Sequence, residues 1–389
     1  MRKALTKYLH PDNRDKPYMD WRLPENRIEM CLRSYGWRMK HCDVDHHTYN
    51  EAYMNQGSMS DEQRIYFSML FGITYQSSMA WVIWSHFPDI EKINWKTLED
   101  WNNENYARQH FSKDTKYNKG KFIPILKDIH EKVLEKHGTL RSWINTFQDF
   151  DHALKEVMTI YRIGRMSGWL TTQAFYEQCA GMSHIVPKNM LATDPSNWSV
   201  RSGLVYIYNK PELMDLNSKK KYSSDDLKWI ESREQEFIES CAEFVLPTDM
   251  SSPFTLETHL CQYKKMIATG GDAPGTPTQD AYTRWYKLKQ AWPELDWDFY
   301  EVVSEHAAPC VKKTFQNKIL MKTGVMTGQM INMHEDNEDL PDMYKEFRIN
   351  HSWLTDFNNF GRIEIKNNFN NYVKNYCIGN YGTNLWSVT

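Results

Sequence analysis

DFDHALKEVMTIYRIGRMSGWLTTQAFYEQCAG, residues 149–181, decides the fold class. Leu154, Val157, Met158 and Tyr161 recur at i, i+3, i+4 and i+7, the spacing of one buried face of a helix. Gly164 and Gly168 loosen the end of that helix, and Thr171 or Thr172 is placed to cap a second one carrying Tyr176. Arg162 and Arg165 stand at the junction, with Trp169 one turn further on. Two guanidiniums beside exposed aromatic rings at a helix–helix corner suit a phosphate-bearing ligand, because the planar fork of arginine matches phosphate oxygens. The competing reading is a buried helix whose arginines pair with nearby acids.

Outward from that stretch, the totals describe a globular chain. It has 389 residues, of which 41% are hydrophobic and 25% charged, enough to bury a substantial core. A net charge of −3 excludes a broadly basic coat, so any nucleic-acid contact must come from local Lys/Arg patches. The aromatic share is 14%, and surplus Trp and Tyr supply stacking surfaces as well as core. Cys31, Cys42, Cys179, Cys241, Cys261, Cys310 and Cys377 form no CxxC pair, so neither a disulfide framework nor a zinc ribbon is indicated. The first residues, MRKALTKYLHPDNRDK, lack the apolar run of a signal peptide, and no window approaches a membrane span. A reduced cytoplasm is the expected compartment.

Taken in order, residues 1–60 read as a polar, turn-rich extension. Within it His41, Asp43, Asp45, His46 and His47 crowd together; with no second ligand group downstream, a solvated capping segment is expected and no metal site is assigned. The chain turns apolar from residue 61, where Asp61 can cap a helix that Gly72 breaks and Ser77 or Ser78 starts another ending before Pro88. That break would expose Thr74, Tyr75 and Gln76 beside free backbone N–H groups, able to present small polar groups to a ligand. In KDTKYNKGK, 113–121, lysines alternate with Asp114, Tyr117 and Asn118, which suits a phosphate-tracking, base-stacking surface or a merely solvated loop.

Further on, Arg201, Ser202 and Gly203 read as a turn before a short apolar run. A long helix follows, capped by Ser223 and closed by Pro247, with Leu227, Ile230, Phe237, Ile238, Cys241 and Phe244 on its buried side and a charged, solvated opposite face. Along 255–267, Leu256, Leu260, Tyr263 and Ile267 form one helical stripe, while Glu257, Cys261, Lys264 and Lys265 form another. The second stripe offers a general base and charge stabilisation, or a surface arrangement of little consequence. Residues 61–267 are thus the expected core, 268–280 a linker-like loop rich in Gly, Pro and Thr, and 281–389 a helical or irregular C-terminal extension packed on the core. Strand-like alternation is rare, so the fold class is mainly α.

FGITY (71–75), AWVIWSHFPD (80–89), DTKYNKGK (114–121), YRIGRMSGW (161–169) and ETHLCQYKK (257–265), in that order, resemble the amino acid:DNA transferases of bacteriophages that hypermodify their DNA, grouped with the α-glutamyl/putrescinyl-thymine pyrophosphorylases. The resemblance implies a helical domain related to helix-hairpin-helix DNA glycosylases, acting in the cytoplasm of an infected bacterium. Its implied partners are double-stranded DNA carrying phosphorylated or pyrophosphorylated 5-hydroxymethyluracil and a free amino acid, glycine or serine, or a polyamine. The amine would displace (pyro)phosphate from the C5-methylene. No cofactor is required, and Mg²⁺ is compatible with the phosphates.

The residues accommodate that chemistry. Arg162, Arg165, Lys264 and Lys265 are candidates for a cationic cradle around the leaving phosphate. Glu257 is the first-choice base for the attacking ammonium and Asp114 the second. Lys116, Lys119, Lys121 and Arg201 would hold the DNA backbone, and Tyr117, Trp169 or Tyr176 would stack on a flipped base. A glycosylase of related fold and a non-catalytic helical DNA-binding phage protein are the alternatives.

Overall fold

Several helices of the chain start where a short polar side chain, Ser60, Asn94, Thr139 or Asp149, accepts from a free N–H of the first turn. The computed structural model describes Ile28, Cys31 and residues 46–111, 121–213, 220–242, 253–269 and 285–297. After helix α1, His46–Gln56, helix α2 runs Asp61–Thr74 behind a reciprocal capping box of Ser60 and Gln63. Ser60, not Asp61, is therefore the cap. Helix α3, Ser77–His86, follows a one-turn break, and α4, Trp95–Glu104, is capped by Asn94. Helix α5, Phe122–Ile129, continues through a π turn, His130–Leu134. Thr139 caps α6, Leu140–Ile144, and Asp149 caps α7, Phe150–Met158; α8 is Arg165–Gln178. Next come α9, Trp198–Ile207, α10, Ser224–Ala242, and α11, Pro253–Thr269. Residues 285–291 are also helical, and no strand occurs among the described residues, so the fold is mainly α.

The described residues fall into two compact units, one drawn from Val44–Lys188 and Thr278–Ala308, the other from Met1–Asp43 and Asn189–Pro277. In the first, α2 is buried from Ile65 to Thr74 and α3 from Ser77 to Trp84, all round, as central helices must be. Helix α8 packs along α2. Gly72 is where they cross: a Cβ there would meet the Thr171 hydroxyl at 1.9 Å and the Ser167 carbonyl at 3.2 Å. Gly72 thus permits a close helix contact and does not break α2; the break comes at Tyr75, in the left-handed region at φ 52°. Thr171 and Thr172 are likewise interior residues of α8, and no cap for it. The segment 285–297 packs into this unit through buried Trp285, Leu288, Trp292 and Trp297. The Arg108 guanidinium lies 3.7 Å from the Trp292 ring centroid, and its Nε donates to the Ala291 carbonyl at 2.7 Å.

In the second unit α9 and α11 pack together, with Gly203 against the Leu260 backbone. The residues 201–203, expected in a turn, are helical. Ser223 and Asp226 form a capping box that starts α10 as expected, and Ile230, Phe237 and Cys241 line its buried side. On that same side sits Glu234, 2% exposed. Its carboxylate accepts from the N–H groups of Met190 at 2.6 Å and Ala192 at 3.1 Å, which is why a charge is tolerated there.

Candidate functional site

The corner between α7 and α8 joins two cations, an uncapped helix start and an apolar tip. Helix α7 ends at Met158, earlier than its periodicity suggests, and residues 159–164 turn the chain. Ile160 and Ile163 point into the core at 1% and 4% exposure, so Tyr161 and Arg162 between them face solvent. Tyr161, expected on the buried face, is 44% exposed. Arg162 adopts φ 60°, a left-handed conformation that costs a non-glycine residue about 1–2 kcal/mol. Its guanidinium stands 5.1 Å from the Tyr161 ring centroid.

This turn is strapped from outside. Asp128, on α5, accepts the Tyr161 N–H at 2.6 Å and pairs with Lys132 at 2.9 Å; Lys132 donates in turn to the Thr159 carbonyl at 2.9 Å. Such buttressing holds a strained surface turn in one shape. Gly168 lets the two helices approach, since a Cβ there would meet Leu154 and Met158 side chains at 3.0 Å.

Helix α8 begins at extended Gly164, which supplies no side-chain cap, so the first N–H groups of a 14-residue helix point outward with their partial positive charge. Arg165, in the first turn, is half-buried, its guanidinium 5.4 Å from the Trp169 ring centroid. Met158, Tyr161 and Met166, 41–45% exposed, surround this end. A helix start with arginines is chemically suited to an anion, and an adjacent apolar tip to an apolar or aromatic partner. By contrast, a small depression of about 80 Å³ carries three carboxylates, Glu62, Asp89 and Glu91, to one cation, Lys92, and disfavours phosphate.

Other expected site residues are placed differently. Trp169 is 2% exposed and packs edge-on against Phe150 at 5.1 Å, so it is an internal strut and not a base-stacking platform. Tyr176 is half-buried against the core. Arg201 is 2% exposed, donating to the carbonyls of Ala192 at 3.0 Å, Asp194 at 2.9 Å and Pro195 at 3.3 Å, beneath the Tyr222 ring. It is an interior clamp and not a DNA-backbone contact. Lys121 is exposed immediately before α5. Glu257 is half-buried on α11; one turn later, the Cys261 sulfur lies 2.9 Å from the Ser199 hydroxyl. Asp114, Lys116, Tyr117, Lys119 and the side chains of Lys264 and Lys265 lie outside the described residues.

Burial raises the Cys179 thiol to about 12 and holds Cys31 and Cys241 well above their ordinary range, which leaves all three unreactive as nucleophiles near neutral pH. Among the described residues no group of His, Cys, Asp or Glu converges on a metal position, and no helix is long and apolar enough to cross a membrane. The residues sequence reading missed are the strap, Asp128 and Lys132, and the outward apolar tip. Asp128 and Lys132 read locally as an ordinary i, i+4 ion pair, and nothing near them announces the Tyr161 N–H that Asp128 accepts from 33 positions away.

Two arginines, a helix start without a side-chain cap and an exposed aromatic thus share one corner, and sequence comparison states the family. Residues 40–270 match the family model of amino acid:DNA transferases. The chain belongs to that family: it is a transferase that acts on DNA with an amino acid. It is similar to a serinyltransferase of Salmonella phage ViI, with 25% identity over 311 residues, covering 71% of this chain and 72% of the relative. No solved structure matches it.

Proposed function

We propose that the substrate is phage DNA bearing 5-hydroxymethyluracil whose hydroxyl is phosphorylated or pyrophosphorylated, and that the amine of an amino acid replaces that group. The amine nitrogen attacks the C5-methylene carbon as its C–O bond breaks. The (pyro)phosphate departs with the bonding pair, and the proton of the attacking ammonium passes to a base. Glu257 is the first candidate for that base and Asp114 the second. Reaction takes place in the cytoplasm of the infected host, and serine, the group named in the phage relative, is the first amine to test.

The observation that carries this reading is the α7–α8 corner. Arg162, Arg165 and the uncapped start of α8 can hold a phosphate of the DNA backbone or the leaving group. Tyr161 and Met166 suit the gap left when a base is turned out of the stack, which costs a few kcal/mol. Lys121, Lys116, Lys119 and Tyr117 would extend the backbone track, and Lys264 and Lys265 are further candidates for neutralising the leaving phosphate.

The test is mass spectrometry of nucleosides from phosphorylated hydroxymethyluracil DNA incubated with the protein and a mixture of amino acids. A thymidine adduct carrying one amino acid is expected, with release of phosphate or pyrophosphate. Unchanged nucleoside with DNA still bound would refute the substrate assignment, and abasic sites would indicate a glycosylase.

A further inference from the structure

Deep in the first unit, the start of α3 leaves polar groups unpaired that interior helix ends normally satisfy. Gln76 is its cap residue, yet its side chain caps nothing. It is 4% exposed, and neither its amide oxygen nor its amide nitrogen has a hydrogen-bond partner. Asn50, on α1 and fully buried, accepts the Ser77 hydroxyl at 2.7 Å through its Oδ1, which fixes its amide at the first residue of α3; its Nδ2 has no partner. Two buried primary amides and a helix start of ten residues thus converge with donors unspent.

The groups hydrogen-bonded around this start are neutral. Tyr53 donates to the Ser78 hydroxyl at 3.1 Å, and Thr74 bonds to the Leu70 and Gln76 carbonyls at 2.8 and 3.0 Å. A phosphate dianion placed among uncharged groups would lack a counter-charge. A carboxylate is a better match: it accepts from the first-turn N–H groups and from the Asn50 and Gln76 amides, while the vacant Gln76 oxygen can accept from an ammonium. One small zwitterion supplies both ends. Half-buried Tyr75 lies between Thr74 and Gln76 in the chain, one residue from solvent.

We propose that the α3 start, with Gln76 and Asn50, is the binding site of the amino acid co-substrate, taking its α-carboxylate at the helix N-terminus and its amine at the Gln76 amide oxygen. The proposal rests on the amino-acid transfer reading and adds to it the residues that select an amino acid over a plain amine. Polar atoms left unpaired in a core are costly to folding, and a ligand that satisfies them offsets that cost.

The test is calorimetric titration of the full-length protein with L-serine and glycine, with putrescine and inorganic phosphate as controls, in wild type, Gln76→Met and Asn50→Asp. Serine or glycine is expected to bind wild type, and putrescine and phosphate are not. Gln76→Met should weaken binding about tenfold or more while melting at the same temperature or higher, because it removes unpaired buried polar atoms. Asn50→Asp keeps the acceptor for Ser77 but sets a carboxylate against the ligand's own, and should abolish binding; it carries the test if Gln76→Met does not fold. Equal affinity in wild type and folded variants, absence of amino acid binding, or binding of putrescine or phosphate in the amino acid's place would each overturn the site. An adduct formed by Gln76→Met at unchanged KM for the amino acid would overturn it while leaving the transferase reading intact. Binding that depends on Gln76 without any adduct would leave the site standing and remove the reading.

Discussion

The segments RIGRMSGW, 162–169, and VRSGLVY, 200–206, look alike: arginine, then glycine, then an aromatic, near a helix end. The fold employs them in opposite ways. In the first, Arg162 projects from a left-handed turn into solvent above an uncapped helix start. In the second, Arg201 is buried, and with Glu234 and Asn197 it holds the backbone of residues 190–195. An arginine beside a glycine is therefore no signature of phosphate binding by itself. What decides is whether backbone carbonyls have already claimed its fork.

The largest expected effect tests the interior side of this contrast. Arg201→Leu strips three carbonyls of their donor and should cost about 3 kcal/mol of stability or more, read by urea unfolding. DNA affinity of the folded fraction should be unchanged; a stable Arg201→Leu that loses DNA would collapse the distinction. On the exposed side, Arg162→Ala with Arg165→Ala should weaken DNA binding about 10- to 100-fold and flatten its salt dependence by about 1–2 counterions, while Tm moves by less than about 2 °C. Gel shifts at several salt concentrations would measure both.

The glycines sharpen the contrast at a smaller scale. A Cβ on Gly203 would stand 3.0 Å from the Leu260 carbonyl oxygen, so Gly203→Ala should lose about 1–3 kcal/mol. Nothing lies within 4 Å of a Cβ on Gly164, whose φ is −91°, so Gly164→Ala should stay within about 0.5 kcal/mol of wild type. Parallel denaturation curves compare them directly.

The smallest effect concerns the thiols. Cys179 is raised from 9.0 to about 12 in the fold, so the folded state holds a proton that the unfolded chain releases above pH 9. Stability from this group is complete below pH 9 and falls as pH rises toward 12. Among the described cysteines, alkylation at pH 8 followed by peptide mass spectrometry should label half-buried Cys261 ahead of Cys31, Cys179 and Cys241.

Much was legible before any coordinates. Helical periodicity located α7, α10 and α11, an apolar run located α2, and the Ser223 cap and the buried Ile230–Phe237–Cys241 line were readable from spacing alone. The helix ends were less so. The i, i+3, i+4, i+7 pattern of Leu154 to Tyr161 runs past the end of α7, because Asp128 captures the Tyr161 N–H and leaves that ring in solvent. Gly72 and Thr171 resembled punctuation, yet they face each other across one helix crossing.

Sequence by itself determined the helical class, the Ser223 cap and the family, because these depend on short-range spacing and on ordered motifs. Tertiary structure alone decided which arginine is a clamp, which tryptophan is a strut and which amides remain unpaired. Those properties depend on partners far along the chain: Glu234 reaches Ala192 across 42 positions and Asn50 reaches Ser77 across 27. Burial and hydrogen bonding belong to the surroundings of a side chain, and no local pattern specifies what will be packed against it.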